Sequence, residues 1–206
     1  MCALVAPVST EAIPGLWVAM DADTKLVPCV AIGSRNASDA HAFISDLASR
    51  LRYRVQMTTD GHRPYLEAVE AAFGSQVDYA MLVKLYGNTD NPQSPERRYS
   101  PAECIGAMPT VISGNPDPAH ISASFVERLN WTTRTSMRRY TRLSNGFSRK
   151  IENHMAAVAI NYFAYNFCKI HRTLRVTPAM AANVVTRLMD VSDLVAMLEE
   201  SEKKAA

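Results

Sequence analysis

The alternation of apolar and polar positions predicts strands and helices in the first half of the chain. Apolar residues spaced three and four apart predict a helix starting near Ser38 and a second helix over 64–73 that ends at Gly74. Short apolar runs that end in turn residues predict four strands, at 16–20, 25–32, 54–58 and 77–86. Strands with helices interleaved are typical of an α/β core.

The second half of the chain is predicted to be helical after one long loop. Segment 87–118 holds six of the eleven prolines and has little periodicity, so it predicts a loop with one short strand around Cys104. Helices are then predicted over 119–143, over 148–168, after Pro178 and over 191–200. The fold class is therefore α/β with a helical C-terminal half.

The distribution of charge changes this picture more than the total charge does. The formal net charge is only +2, but segment 128–150 contains seven basic residues and no acidic one. Such a segment favours a face that binds a polyanion, and a solvated helix face explains it equally well. The four cysteines form no CxxC pair, which argues against a zinc ribbon. No apolar run reaches the 18 or so residues that cross a bilayer, so a cytoplasmic protein with no membrane partner is expected.

Two carboxylates are candidates for chemistry. Asp60 lies where a strand ends at Gly61, and loops at strand ends present functional groups to a cleft. A turn aspartate that hydrogen-bonds locally is the alternative. Glu127 stands at the head of the basic helix, with Trp131, Arg134 and Arg138 at helical spacing on the same face. Its alternative is a surface glutamate paired with an arginine one turn away.

Several motifs in order resemble DDE-type bacterial transposases of the insertion-sequence-one class. Thr58-Thr59-Asp60-Gly61 with Tyr65 resembles the family's second-carboxylate motif, and the segment 122–130 around Glu127, followed by Thr133 and Arg134, resembles the third. Segments 142–154 and 165–171, then Leu174 and Thr177-Pro178-Ala179, resemble the downstream motifs. The resemblance covers about 17–184.

The resemblance implies a ribonuclease-H-like mixed sheet with flanking helices and a site for two divalent cations. Carboxylates suit Mg²⁺ or Mn²⁺, and two such ions about 3.5–4 Å apart stabilise both ends of an in-line displacement. Asp60 and Glu127 would be catalytic residues and metal ligands. DNA would be held through phosphate contacts by Arg128, Asn130, Arg134, Arg138, Arg139, Arg142 and Lys150. The expected divisions are an atypical segment 1–16, a catalytic domain 17–185 with the loop 87–118, and a C-terminal helix and charged tail 186–206.

The family's first carboxylate, in an Asp-Glu-x-Trp motif on the first strand, has no counterpart here. The chain is therefore expected to be N-terminally truncated, without the family's DNA-recognition region. Asp21 and Asp23 are rejected as substitutes because their hairpin falls at the far end of the sheet from Asp60. The apolar segment 2–8 is predicted to pack as a surrogate strand that supplies no ligand, with Pro7 at a strand end or edge.

The remaining candidates are less specific. His62 and His154 could lie near the cleft, although structural roles are commoner for such histidines. The face formed by Val191, Leu194, Val195 and Leu198 is expected to serve packing or self-association. Three functions stay open: a competent DNA strand transferase, a non-catalytic fragment that binds DNA or full-length transposase and interferes with transposition, and a decayed gene product.

Overall fold

A six-stranded sheet with the order β3-β2-β1-β4-β5-β6 forms the centre of the molecule. The computed structural model describes residues 2–10, 13–87, 104–140, 146 and 150–205, with side-chain detail beginning at residue 15. The strands are β1 Cys2–Thr10, β2 Ile13–Asp21, β3 Cys29–Gly33, β4 Val55–Asp60, β5 Val77–Tyr86 and β6 Cys104–Ser113. The helices are α1 Ala37–Arg50, α2 Pro64–Phe73, α3 Ser124–Ser136, α4 Ile151–Phe163, α5 Pro178–Ala181 and α6 Val191–Ala205.

The last residues of β1, β4 and β5 lie at the same end of the sheet, because these three strands run in the same direction. β1 runs parallel to β4, and β4 runs parallel to β5. β2 is antiparallel to β1, β3 is antiparallel to β2, and β6 is antiparallel to β5. Asp60, the last residue of β4, therefore lies at this end of the sheet. The first residues of β2 lie at this end of the sheet, and its last residue, Asp21, lies at the opposite end.

The N-terminal segment forms the central strand. β1 pairs with β2 from Ala3↔Asp21 to Thr10↔Ile13 and with β4 from Cys2↔Gln56 to Val5↔Thr59. The predicted replacement of the first strand is therefore confirmed. Pro7 pairs with Trp17 of β2 and lies beyond the ladder with β4, where its missing N–H leaves that ladder intact.

Side chains of β2 enter two hydrophobic cores, one on each face of the sheet. Trp17 and Ala19 pack in a core with residues of α1 and α2, including Phe43, Leu47 and Tyr65. The alternate residues of β2 pack in a second core with residues of α3, α4 and the following turns; its members include Leu16, Val18, Met20, Val126, Leu129, Tyr140, Val158 and Tyr162. A strand buried on both faces reads as a continuous apolar run, which is why β2 was found from the sequence.

The segment 87–118 differs from its prediction as a long loop with a short strand. Ten of its residues form β6, which pairs with β5 from Tyr79↔Ser113 to Tyr86↔Cys104. β6 is an edge strand whose side chains are mostly exposed on both faces, so no alternation marks it. Pro109 is tolerated at an edge because its absent donor can face away from the sheet. Residues 88–103 lie outside the described ranges.

The helix predicted over 119–143 is interrupted. α3 ends at Ser136, Met137 caps it, and Arg138–Tyr140 form a separate 3-10 turn. This turn directs Tyr140 into the second core, where the side chain is almost fully buried. The helix predicted over 148–168 is α4 followed by a π-helical turn, Ala164–Cys168. No helix within the described ranges has the length and apolar character needed to cross a membrane.

Candidate active site at the end of β4

Asp60 is held at the end of β4 by its own turn. The backbone N–H of His62 donates to Asp60 Oδ1 at 3.1 Å. The turn passes close to β5, because a Cβ on Gly61 would come within 3.2 Å of Val83 Cγ2. Burial raises the pKa of the Asp60 carboxyl above its usual range, while the His62 N–H and the positive charge of Arg35 act against that rise. Burial of an ionisable side chain at a strand end is typical of functional sites.

Glu127 faces the same region from the first turn of α3. Its negative charge contributes to the raised pKa of Asp60, so Glu127 lies within electrostatic reach of Asp60. The ion-pair partner of Glu127 is not an arginine of its own helix. Lys84 Nζ lies 2.6 Å from Glu127 Oε1, and both side chains are partly exposed, at 36% and 44%. Lys84 thus connects β5 to the helix that carries Glu127.

The side-chain oxygens at this end of the sheet fit a hard divalent cation only in part. Asp60 and Glu127 supply oxygen ligands, the type that Mg²⁺ and Mn²⁺ prefer. The side-chain oxygen of Asn130, one turn after Glu127, is buried without a hydrogen-bond partner. Against this, Cys2–Thr10 contains no acidic residue, and Lys84 already neutralises Glu127. Across the described part of the chain, no three His, Cys, Asp or Glu residues gather closely enough to bind a metal ion.

The hairpin after β2 is structural. Asp21 accepts the Asp23 N–H at 3.2 Å and the Thr24 hydroxyl at 2.6 Å. Asp21 also pairs with Ala3, which in turn pairs with Met57, three residues before Asp60 in β4. Asp21 is therefore separated from Asp60 by β1 and by three residues along the strands. This geometry agrees with the rejection of both hairpin aspartates as ligands.

The two candidate histidines differ in position. His62 contacts Asp60 through its backbone N–H, while its ring packs against Trp17 and Tyr65, with ring centroids 5.7 and 5.6 Å away. Burial, then Arg35, lowers its pKa. His154 is buried in the second core, where its Nε2 lies 3.0 Å from the Tyr140 hydroxyl. His154 therefore belongs to the helical packing and not to the cleft.

The predicted DNA-binding residues do not share one helix face. Arg128 is exposed on α3, and Asn130 and Arg134 are half-buried on the same helix. Arg138 and Arg139 belong to the 3-10 turn after α3, and Lys150 is the exposed residue before α4. Arg142 lies outside the described residues. The prediction that Arg138 continues the face of Glu127 is wrong, because the helix ends at Ser136 to bury Tyr140.

The sequence motifs gave no indication that Lys84 and Arg35 lie near the site. A signal existed for Lys84, since it is the one basic residue in the otherwise apolar run 79–86. Arg35 stands in the loop between β3 and α1 and carries no local signal. Arg35 lies near Asp60 because the strand order and directions place the last residues of β3 and of β4 at the same end of the sheet.

Strand order, mixed strand direction and helices on both faces define a ribonuclease-H-like fold. The chain is similar to a chain of the cryo-EM structure of the simian T-cell lymphotropic virus intasome in complex with PP2A regulatory subunit B56 gamma. The TM-score is 0.52 at 13% identity, over 87% of this chain and 53% of that chain. The chain thus spans about half of that protein, and the likeness shows a distant, integrase-like fold alone. No family model and no curated protein matches the sequence.

Proposed function

We propose that this chain is a transposase-type domain of the insertion-sequence-one class, related by descent to enzymes that cleave and transfer DNA strands. The observation that supports the proposal is that Asp60, at the end of β4, and Glu127, in the first turn of α3, lie within electrostatic reach of each other in an integrase-like fold. The order and spacing of the motifs around these two residues are those expected for that class.

Each carboxylate has a distinct task in the proposed site. Asp60 is fixed by the His62 N–H and by the close approach of Gly61 to β5, so it would present one ligand oxygen in a constant position. Glu127 projects from a helix and would complete the pair after leaving Lys84. Mg²⁺ or Mn²⁺, when bound, supplies charge stabilisation for an in-line displacement at phosphorus. Among the described residues, Lys84 contacts Glu127 and the His62 N–H holds Asp60.

We further propose that the domain binds DNA but cleaves it poorly. The strand that should carry the first acid, Cys2–Thr10, has none, and Lys84 balances the charge of Glu127 without a metal. A non-catalytic fragment that occupies DNA, or that associates with full-length transposase or with itself, is the second candidate function. The same two observations favour it.

Plasmid nicking and Mn²⁺ binding together test the proposal. Wild type, Asp60→Asn and Glu127→Gln would be compared on supercoiled plasmid with Mg²⁺ or Mn²⁺, and Mn²⁺ binding would be followed by electron paramagnetic resonance. We expect Mn²⁺ binding in the wild type that either substitution weakens at least tenfold, with little nicking. Efficient nicking that both substitutions abolish would instead establish a competent enzyme with a further acid. Equal Mn²⁺ binding in all three proteins would disprove the metal site.

A further inference from the structure

The exposed side of α3 next to Glu127 carries an aromatic pocket. Ser124, Phe125, Arg128 and Trp131 line an open cavity of about 470 Å³. Phe125 is 40% exposed and Trp131 is 66% exposed. This volume lies within the range of roughly 300–1,000 Å³ that is usual for ligand pockets. Because Phe125 and Trp131 line the same pocket, they form an exposed aromatic patch, and such patches mark interaction sites.

Positive charge converges on this pocket from three separate parts of the chain. Lys25, in the turn between β2 and β3, places its Nζ 3.5 Å from the centre of the Phe125 ring. The pKa of His171 is lowered by burial and then by the positive charges of Lys25, Arg128 and Lys169. Lys25, Arg128 and Lys169 therefore each lie within electrostatic reach of His171, although Lys25 and Arg128 are distant from it in sequence. The acids that act on Lys25, Asp23 and Asp21, belong to its own turn, where Asp21 is engaged in local hydrogen bonds. Glu127, the acid on α3 beside this surface, is paired with Lys84.

We propose that this surface, formed by Lys25, Phe125, Arg128, Trp131, Lys169 and His171, binds an unpaired stretch of DNA. Bases would stack on Trp131, and the phosphates would lie against Arg128, Lys25 and Lys169. One side of the Phe125 ring is covered by Lys25, so Trp131 is the main stacking platform. The inference extends the proposed function, because Glu127 and Trp131 are one helical turn apart and the strand would pass beside the carboxylates.

The chemistry favours an unpaired strand over a duplex. Phosphate contacts alone would explain the basic groups but would leave the exposed Trp131 without a role. Bases in a duplex are stacked on each other, whereas unpaired bases can stack on an aromatic side chain without regard to sequence. An acidic protein segment is the other polyanion that could fit the charges, and it would not need the ring of Trp131.

The positions of the two tryptophans allow a direct optical test. Trp17 is fully buried and Trp131 is exposed, so quenching of intrinsic fluorescence by a bound oligonucleotide reports on Trp131. The titrations would use a thymidine oligonucleotide of about twelve nucleotides, since single-strand sites span roughly 4–16. The comparison ligands are an abasic strand of equal length, a duplex of the same length and polyglutamate. Chelator is present throughout, so the result does not depend on a metal site.

We expect the thymidine strand to quench Trp131 and to bind about tenfold more tightly than the abasic strand or the duplex. Trp131→Leu should remove that preference, so that the thymidine and abasic strands bind this variant equally, with labelled strands followed by anisotropy. Tyr53→Leu is the matched control, because Tyr53 is 85% exposed elsewhere, and it should bind as the wild type does.

Two outcomes would overturn the inference. One is equal affinity of the wild type for thymidine strand, abasic strand and duplex, which would mean that phosphates alone are bound. The other is quenching of Trp131 by polyglutamate with no response to DNA, which would identify an acidic protein as the partner. Either outcome leaves the Mn²⁺ binding of Asp60 and Glu127 unaffected, so failure of this inference is distinguishable from failure of the proposed metal site.

Discussion

At the scale of single residues, Lys84 is the group that competes with a cation for Glu127. Its ammonium group lies 2.6 Å from Glu127 and provides a positive charge where a divalent cation would otherwise be needed. Both side chains are partly exposed, so water screens the pair and its free energy is small, about 0–1 kcal/mol. The ion pair is therefore a weak competitor that a bound cation can displace.

Replacement of Lys84 should strengthen cation binding. We expect Lys84→Met to bind Mn²⁺ about two- to fivefold more tightly than wild type, because loss of a competing pair of up to ~1 kcal/mol corresponds to that ratio. Titration calorimetry measures the change. Arg54→Met is the control, since Arg54 forms a comparable ion pair with Asp78 at the opposite end of the sheet. Weaker binding by the Lys84 variant would mean that Lys84 orients Glu127 instead of competing.

The sequence predicted Asp60 and Glu127 as a pair, but it could not predict their neighbours. Asp60 and Glu127 stand in motifs with a fixed local spacing, so a linear pattern identifies them. Lys84 and Arg35 reach the site only through the strand order, which no local pattern encodes. The stacking surface has the same character, because Lys25 and His171 are over a hundred residues apart yet lie near one another.

At the scale of elements, β1 supports the whole sheet. It is hydrogen-bonded on both sides, to β2 and to β4, and therefore joins the antiparallel part of the sheet to the parallel part. α6 is the opposite case. Most of its residues are exposed, including Val191, Val195 and Leu198 of the face expected to serve packing or self-association, so the described part of the chain does not cover that face.

Deletion of the two elements should have unequal effects. Removal of residues 2–10 leaves β2 and β4 each with one unpaired edge in the middle of the sheet, so we expect loss of the cooperative unfolding transition. Removal of residues 191–205 should shift the Tm by no more than about 3 °C, the effect of roughly 1 kcal/mol in a protein of this size. Circular dichroism during heating measures both. A folded protein without β1 would contradict the central role of that strand.

Elements with strong periodicity were predicted well, and elements defined by tertiary contacts were not. β5 was predicted over 77–86 and observed over the same residues, and α2 likewise over 64–73. The end of α3 depends on the burial of Tyr140 in the second core. The existence of β6 depends on the free edge of β5, with which it pairs. α1 is capped two residues earlier than the predicted cap, Ser38, because the Asn36 side chain accepts the Asp39 N–H.

At the scale of the whole molecule, histidines in both cores link folding to pH. Burial lowers the pKa of His62, of His154 and of His171, and a nearby positive charge adds to the effect at each of them. A histidine with a lowered pKa is neutral in the folded state, while the unfolded chain takes up the proton below its ordinary pKa of about 6.5. Unfolding therefore binds protons, and stability is lost as the pH falls below about 6.5.

His154→Gln should flatten this dependence on pH. Urea unfolding between about pH 5 and 8 is expected to show a smaller loss of the free energy of unfolding on acidification than the wild type shows, because one proton-binding group is gone. The variant will be less stable overall at neutral pH, since its contact with Tyr140 changes. His41→Gln on α1 is the control. An unchanged slope for the His154 variant would show that His154 does not take part in the acid response.

The central position of β1 also sets an order of events during protein synthesis. Cys2 pairs with Gln56, roughly fifty residues later in the chain. At ~5–20 residues per second a ribosome needs about 3 to 10 s to make that stretch. During this interval the β1–β2 hairpin has one open edge, which a chaperone can cover and which a second nascent chain can pair with. Codons that slow translation before β4 would lengthen the interval and lower the yield of folded protein.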